Sequence, residues 1–301
     1  MEHSSKIKQI FPEKALRTIL VVSLIGSIGL ATAESILRGQ NSFTRKAIEL
    51  SLKRAEYTFS EKLVTEIMGE ARESLVFRST LPSSKYAIVL HGGWSSNEDS
   101  VLGPWAPMRN INEALLSNGY NTVWPNGTED VFAKGSGRRF WNAGPAFAPV
   151  VGEADDIEYI NTLIKQISDQ DPQFNPEELV IIGYSNGGMM VHRLVADNFG
   201  INPKAVVMIN ASQEVPLVNP VAANMLLIAN LDDNVVPYYG GNTEKSRVPR
   251  VVMPFDQAYR LRVEANNGSG KITKSIVYPE GGHSINPNVP AEIVEFINSL
   301  N

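Results

Sequence analysis

Apolar and polar residues follow two different spacings along this chain. Short continuous apolar runs are typical of strands buried on both faces of a sheet, and the segments between them repeat apolar residues every three or four positions, as helices do. This alternation predicts an α/β fold with a mostly parallel central sheet and helices on both faces. The predicted strands are residues 86–90, 121–124, 179–182, 205–209, 225–229 and 272–278. Helical spacing is clearest at residues 111–115, which Gly119 is expected to end, and at residues 157–167 and 291–300.

Two further β-type runs, residues 63–67 and 74–78, precede the first buried strand. Met68-Gly69-Glu70 separates them, so they are predicted to form an antiparallel hairpin at one edge of the sheet. With 301 residues, 43% of them hydrophobic, the chain can enclose one sizeable core. We therefore assign residues 60–301 to a single α/β domain and residues 34–59, which are mixed and charged, to a poorly defined lead-in segment.

The N-terminus has the pattern of a secretory signal peptide. Four basic residues between positions 6 and 17 precede an apolar stretch at residues 19–30, and Ala31-Thr32-Ala33 follows as a small-residue cleavage site. Residues 1–33 are thus predicted to be removed, which gives an exported protein, periplasmic or secreted, with no stable membrane span. The alternative is an uncleaved anchor in the inner membrane, although an apolar stretch 12 residues long is short for a spanning helix.

Charge and cysteine content exclude several classes of function. The net charge is −5, and because residues 1–33 carry four basic and two acidic side chains, the remainder of the chain carries −7. No basic surface suited to nucleic acid is expected on such a chain. The sequence contains no cysteine, which excludes disulfides and thiolate zinc sites.

The candidate chemistry begins with Gly-Tyr-Ser-Asn-Gly-Gly at residues 183–188. The motif G-x-S-x-G between a buried strand and a helix forms a nucleophile elbow, in which the flanking glycines permit a sharp turn that exposes the serine. Ser185 is the predicted nucleophile. The N–H of Asn186 lies in the first helical turn without a helical acceptor, so it is a predicted donor to an oxyanion. The glycines after the strand at residues 86–90 allow Gly93 or Trp94 to supply the second N–H group.

A base is needed to activate a serine hydroxyl, and the chain has four histidines. His3 lies in the signal peptide, His91 precedes the oxyanion loop, and His192 is about two helical turns beyond the nucleophile. His283 follows the last strand, which agrees with the chain order Ser, Asp, His of an α/β-hydrolase. It is therefore the predicted base.

The acid that orients this base is predicted to follow the strand at residues 225–229. Asp232 and Asp233 both lie there, and their spacing alone does not choose between them. Two adjacent side chains do not point into one site, so the other aspartate is expected to cap the loop or face water. Asp155 and Asp156 start the helix at residues 157–167 and are interpreted as capping residues.

Several separated segments resemble the secreted polyhydroxybutyrate depolymerase and feruloyl esterase-like branch of the α/β-hydrolases. They are residues 183–190 (GYSNGGMM), 123–127 (VWPNG), 141–144 (WNAG) and 155–157 (DDI), and the resemblance covers about three quarters of the chain from about residue 74 onward. It implies a serine carboxylic ester hydrolase that works through an acyl-enzyme without cofactor or metal. The substrates implied are soluble esters or oligoesters of the hydroxybutyrate, feruloyl or acetyl type.

The resemblance also bears on the acid and on the substrate. The family motif D-x-x-V-P-Y matches residues 233–238, which implies Asp233 as the acid, and G-G-H matches residues 281–283. Ala229-Asn230-Leu231 replaces the usual His-Gly-Thr, and the cysteines of many relatives are absent. These departures from the family pattern bear on the identity of the substrate and not on the type of reaction. No binding module or linker follows the catalytic part, which favours soluble substrates over a solid polymer.

Aromatic residues near the predicted site are candidates for the substrate pocket. Trp94 and Trp141 fall in loops at the rim of the sheet, and Tyr184 flanks the nucleophile, so we predict that all three contact the substrate. A packing role is the alternative for the tryptophans. The glycine- and proline-rich residues 128–151 are predicted to be a long surface excursion that could fold over the site. A serine peptidase of the same fold and a catalytically silent binding protein are the alternative functions.

Overall fold

The structure is a computed structural model that describes residues 61–81, 83–103, 106–243 and 245–300. The predicted signal peptide and lead-in segment lie outside these residues. Within the described part of the chain, no helix combines the length and apolar character needed to cross a bilayer.

An eight-stranded sheet forms the centre of the domain, in the order β1-β2-β4-β3-β7-β8-β9-β12. Its six strands from β4 to β12 run parallel, and β1 and β2 are antiparallel at one edge. The predicted mostly parallel sheet is therefore confirmed. The strands are β1 Glu61–Ile67, β2 Glu70–Phe77, β3 Lys85–Leu90, β4 Tyr120–Pro125, β7 Val180–Tyr184, β8 Ala205–Ile209, β9 Asn224–Asn230 and β12 Thr273–Tyr278, and short two-stranded ribbons pair β5 Thr128–Glu129 with β6 Arg139–Phe140 and β10 Gly241–Asn242 with β11 Val251–Val252.

Helices cover both faces of the sheet, as the alternating pattern predicts. Ile88 and Leu90 of β3 share one core with the buried residues of α4 and α5. The buried residues of α2 and α7 lie outside that core, and the two helices contact each other, which places them on the opposite face. Gly119, at φ +82°, follows the end of α2 as predicted. The helices are α1 Asn97–Val101, α2 Arg109–Ser117, α3 Ala148–Val151, α4 Asp156–Gln170, α5 Asn186–Ala196, α6 Phe255–Ala265 and α7 Val289–Asn298.

The predicted edge hairpin is present, but its turn is tighter than the sequence suggests. β2 begins at Glu70, so only Met68 and Gly69 connect the strands, and both have positive φ angles of 50° and 79°. Two such residues in succession match the twist of the flanking strands. Methionine is an unusual residue for this conformation, which is why the sequence pattern placed the start of β2 too late.

Residues 128–151 are only partly the surface excursion that their composition predicts. The tip at residues 131–137 is largely exposed, but Phe140, Trp141 and Phe147 are buried in the core. Burial of these large apolar side chains stabilises the fold. The sequence pattern does not reveal it, because β5, β6 and α3 are each at most four residues long and show no hydrophobic periodicity.

Candidate active site

Ser185 occupies a strained turn between β7 and α5. Its φ of 53° and ψ of −121° lie where residues other than glycine are rarely found. A Cβ atom at Gly183 would lie 2.2 Å from the carbonyl oxygen of Gly187, and one at Gly187 would lie 2.3 Å from that of Leu90. Both positions therefore require glycine, and the elbow geometry follows from the local sequence.

The three distant candidates for a catalytic relay meet at the carboxyl ends of the strands. His283 Nε2 lies 2.8 Å from Ser185 Oγ, and His283 Nδ1 lies 2.7 Å from Asp233 Oδ2. The other oxygen, Asp233 Oδ1, accepts hydrogen bonds from the N–H groups of Val235 and Val236 at 2.8 and 2.9 Å. These donors fix the carboxylate so that Oδ2 faces the imidazole. Such an arrangement can transfer the hydroxyl proton to His283 while Asp233 stabilises the imidazolium.

Asp232 and Asp233 have different surroundings, which distinguishes the two sequence candidates. Asp232 Oδ1 accepts a hydrogen bond from the N–H of Gly282 at 2.7 Å and is exposed to solvent. The Asp233 carboxylate is almost fully buried against His283. Asp232 thus holds the histidine loop, and Asp233 contacts the histidine itself.

Side chains that the sequence analysis did not single out also hold this loop. Asn230 Nδ2 donates to the carbonyl oxygens of Gly282 and Ser284, both at 2.8 Å, and Asn210 Nδ2 donates to that of Ser284 at 2.9 Å. Asn230 is the middle residue of the segment that departs from the His-Gly-Thr of the family. The departure was a visible sign that this position has a specific role here.

Tyr184, predicted to bind substrate, packs instead on the histidine. Its ring stacks on the His283 ring at 5.4 Å between centroids, and its hydroxyl donates to the His283 carbonyl oxygen. Burial, and secondarily the charge of Asp233, raise the pKa of Tyr184, so its hydroxyl remains a neutral donor. Tyr184 therefore holds the base in place from outside the cavity.

Existing hydrogen bonds of the backbone N–H groups distinguish between Gly93 and Trp94 as the second oxyanion donor. The N–H of Trp94 donates to the carbonyl oxygen of Arg139 at 2.9 Å, so it is already used. Gly93 lines the cavity together with Ser185 and Asn186. A Cβ atom at Gly93 would lie 2.5 Å from the Phe140 ring, which requires glycine there. The geometry therefore favours the N–H groups of Gly93 and Asn186.

Trp141 does not line the cavity, because its side chain is fully buried. The Asn186 side chain accepts a hydrogen bond from the Trp141 N–H at 2.7 Å and donates to its carbonyl oxygen at 3.1 Å. The indole Nε1 donates to the carbonyl oxygen of His91 at 3.0 Å. Trp141 thus connects the start of α5 with the loop that carries Gly93.

His91 and His192 are buried structural residues, in agreement with their elimination as bases. His91 Nε2 accepts a hydrogen bond from the N–H of Gly127 at 3.0 Å, and burial lowers the pKa of His91 to about 4. His192 packs against Arg262, and burial lowers its pKa well below the usual value. Both rings are therefore neutral near pH 7.

Asp155 and Asp156 differ, although both were interpreted as caps. Asp155 Oδ1 accepts a hydrogen bond from the N–H of Glu158 at 3.1 Å, so it caps α4 as predicted. For Asp156 the interpretation is wrong: it is fully buried, pairs with buried Arg72 and accepts a hydrogen bond from the Asn142 N–H at 2.6 Å. The reason is that β2 presents Arg72 to the start of α4, a long-range contact that helix spacing does not reveal.

Asp156→Asn is expected to destabilise the fold by about 3 kcal/mol, because it removes the buried counter-charge of Arg72 and leaves only the partly exposed Glu70. Chemical denaturation measures the free energy of unfolding. Asp155→Asn is the matched control, since asparagine also caps helices and should change stability by less than about 0.5 kcal/mol. Equal losses from the two variants would contradict a stabilising role for the buried pair.

A cavity of about 420 Å³ opens over Ser185 and His283. Its apolar walls include Trp94, as predicted, and its size suits a small ligand. Within the described part of the chain, no group of three or more His, Asp or Glu side chains is placed to hold a metal ion. The lining also includes basic residues, and its other apolar residues are Phe140, Phe147, Met189, Val235 and Val236.

Comparison with known proteins gives structural similarity without sequence similarity. No protein-family model and no curated protein sequence matches the chain. The esterase Pf2001 of Pyrococcus furiosus superimposes with a TM-score of 0.56 at 16% identity, over 81% of this chain and 91% of that one. Est1E from Butyrivibrio proteoclasticus gives a TM-score of 0.52 at 12% identity, over 80% and 99% of the two chains. A Bacillus cereus carboxylesterase superimposes with a TM-score of 0.51 at 14% identity, over 76% of this chain and 95% of that one.

These similarities, together with the sheet order, decide the fold. The chain has the α/β-hydrolase fold. In this α/β-hydrolase sheet, the chain passes from β3 to β4 on one side and then to β7 on the other side of β3. Ligands of open α/β sheets bind at the carboxyl ends of strands where the order reverses in this way. Gly93 follows β3 and Ser185 follows β7, so the candidate site lies at that point.

Proposed function

We propose that the protein is a serine carboxylic ester hydrolase. The observation that carries the proposal is the hydrogen-bonded relay from Ser185 through His283 to Asp233 at the floor of a ligand-sized cavity. The neighbouring structures named esterases and carboxylesterase support ester hydrolysis as the chemistry of this site. The motif resemblance to polyhydroxybutyrate depolymerases and feruloyl esterases supports soluble esters or oligoesters as substrates.

The reaction follows from the geometry in two steps. His283 Nε2 accepts the Ser185 proton as Oγ attacks the ester carbonyl, and the N–H groups of Asn186 and Gly93 stabilise the oxyanion. The protonated imidazole then gives its proton to the departing alcohol, which leaves an acyl-enzyme. A water molecule, deprotonated by His283, attacks the acyl carbonyl, and the proton returns to Ser185 as the acid departs.

Export remains part of the proposal. The basic, apolar and small-residue regions of residues 1–33 support a periplasmic or secreted enzyme, and anchoring in the inner membrane is the alternative. N-terminal sequencing of the protein from an expressing bacterium distinguishes cleavage after Ala33 from retention of the segment.

A fluorophosphonate probe is expected to label Ser185 covalently, because the probe phosphorylates a serine activated by a neighbouring base. Mass spectrometry of the digested protein locates the adduct, and hydrolysis of 4-nitrophenyl butyrate measures turnover on the same sample. Preheated, unfolded protein is the control for nonspecific reaction. Absence of both labelling and turnover would favour the catalytically silent binding protein.

A further inference from the structure

Three basic residues line one side of the cavity that contains Ser185 and His283. They are Lys245, Arg247 and Arg250, which we call the cationic wall. Among the described residues, no carboxylate side chain lines this cavity. The chain as a whole is acidic, with 32 Asp and Glu against 27 Lys and Arg. The concentration of positive charge at the site is therefore opposite in sign to the average of the protein.

Arg250 is held in place from behind. Its side chain is 6% exposed, and Nε lies 3.0 Å from Oε1 of Glu214, a carboxylate that is itself buried outside the cavity lining. Nη1 donates to the Val248 carbonyl oxygen at 2.9 Å, whereas Nη2 has only the Met189 sulfur at 3.1 Å. A thioether is a weak acceptor, so Nη2 retains most of its capacity to donate to a ligand oxygen.

Arg247 also lies near a buried carboxylate but is half-exposed, and Lys245 is less restrained. Arg247 Nη2 lies 3.8 Å from Oδ2 of Asp130, which is fully buried, and the guanidinium lies 4.1 Å from the centre of the Trp94 ring. Lys245 forms no ion pair with any described residue. A buried carboxylate thus restrains each of the two arginines, and all three basic residues line the cavity.

An anion is the ligand that complements this wall. Apolar side chains lie directly against these cations, with Trp94 on Arg247 and Phe147 and Met189 on Arg250. Their presence limits the number of water molecules that can solvate the cations once a ligand enters. A carboxylate accepts charge-assisted hydrogen bonds from guanidinium and ammonium groups, which are about twice as strong as neutral ones. A neutral ligand would displace water from these charges without replacing its hydrogen bonds.

We infer that the ester substrate carries a free carboxylate, which binds the cationic wall while Ser185 attacks the ester carbonyl. This inference rests on the proposed ester hydrolysis and adds the substrate class. A monoester of a dicarboxylic acid or the acid end of a short oligoester has this chemistry. The apolar walls formed by residues such as Phe140 and Phe147 would contact the chain between the two groups.

The test compares mono-4-nitrophenyl adipate with its methyl ester, which has the same acyl chain without the charge. The wild-type protein is expected to show a kcat/KM ratio of at least about tenfold in favour of the anionic ester. The double variant Lys245→Gln/Arg247→Gln should lower this ratio by about tenfold, a difference of about 1.4 kcal/mol in binding of the transition state. The preference should also weaken in high salt.

Arg260→Gln/Lys271→Gln is the matched control, because it removes the same two charges from exposed positions outside the cavity lining. Its ratio should equal that of the wild type. Competitive inhibition of the wild type by adipate, compared with adipamide, gives a readout that needs no variant. Equal inhibition by both compounds, or equal ratios in the two double variants, would overturn the inference.

Failure of the inference and failure of the proposed function are distinguishable. If the wild type hydrolyses the neutral methyl ester and shows no preference for the anionic one, the cationic wall does not select the substrate but the esterase proposal stands. If neither ester is hydrolysed, the proposed function falls and the inference falls with it.

Discussion

Ser185→Ala is expected to lower kcat/KM for 4-nitrophenyl butyrate by about 10⁴-fold or more, because the acyl-enzyme cannot form without Oγ. His283 and the oxyanion donors would remain in place, so a small residual rate above that in water is expected. Initial rates at substrate concentrations well below KM give the ratio directly.

The substitution should leave the fold intact. Ser185 Oγ hydrogen-bonds His283, whereas the backbone N–H donates to the Ile209 carbonyl oxygen at 2.8 Å and is retained in alanine. Ser168→Ala, on the exposed side of α4, is the control for a serine removed elsewhere. Near-normal hydrolysis by a folded Ser185→Ala protein would remove Ser185 from the mechanism.

Asp233→Asn is expected to cost about 10⁴-fold in kcat, the effect of holding the histidine in the wrong tautomer. Oδ1 of residue 233 accepts from the N–H groups of Val235 and Val236, so an asparagine should keep its oxygen there. Its NH₂ group would then replace Oδ2 and donate to His283 Nδ1. The ring proton would move to Nε2, which could no longer accept the proton of Ser185.

Asp232→Asn is the matched control, since it removes the same charge from the adjacent residue. Its oxygen can still accept from the Gly282 N–H, so the histidine loop should stay in place and kcat should change little. Both rates are measured with 4-nitrophenyl butyrate, and circular dichroism monitors folding. A larger loss from Asp232→Asn than from Asp233→Asn would exchange the roles assigned to the two aspartates.

The positions of Ser185 and His283 could be predicted from the sequence because their constraints are local. A Cβ atom at Gly183 or Gly187 would lie 2.2 or 2.3 Å from a backbone oxygen of the turn or of the adjacent strand, so only glycine fits and the elbow appears as a motif. His283 follows the last strand of a parallel sheet, and topology alone brings it to the same edge. The central strands and helices could be located from their periodicity, because periodicity is also a local property of the sequence.

Orientation is what the sequence pattern could not predict. Asp232 and Asp233 are neighbours, and the choice depends on which carboxylate meets the N–H groups of the following turn. Trp141 was placed correctly near the site, but its side chain points inward because the Asn186 amide binds its backbone. The Arg72–Asp156 pair joins residues 84 positions apart, a separation at which periodicity carries no information.

The hydrogen bond from the Trp94 N–H to Arg139 has a consequence for which segments of this chain can be lengthened. It joins the loop after β3 to β6, and the isolated bridge between Ser95 and Arg139 reinforces the same contact. The exposed tip at residues 131–137 therefore extends from the β5–β6 ribbon, which is itself paired with residues 94 and 95. A longer segment grafted into that tip is expected to leave the β5–β6 ribbon and its contact with Trp94 undisturbed.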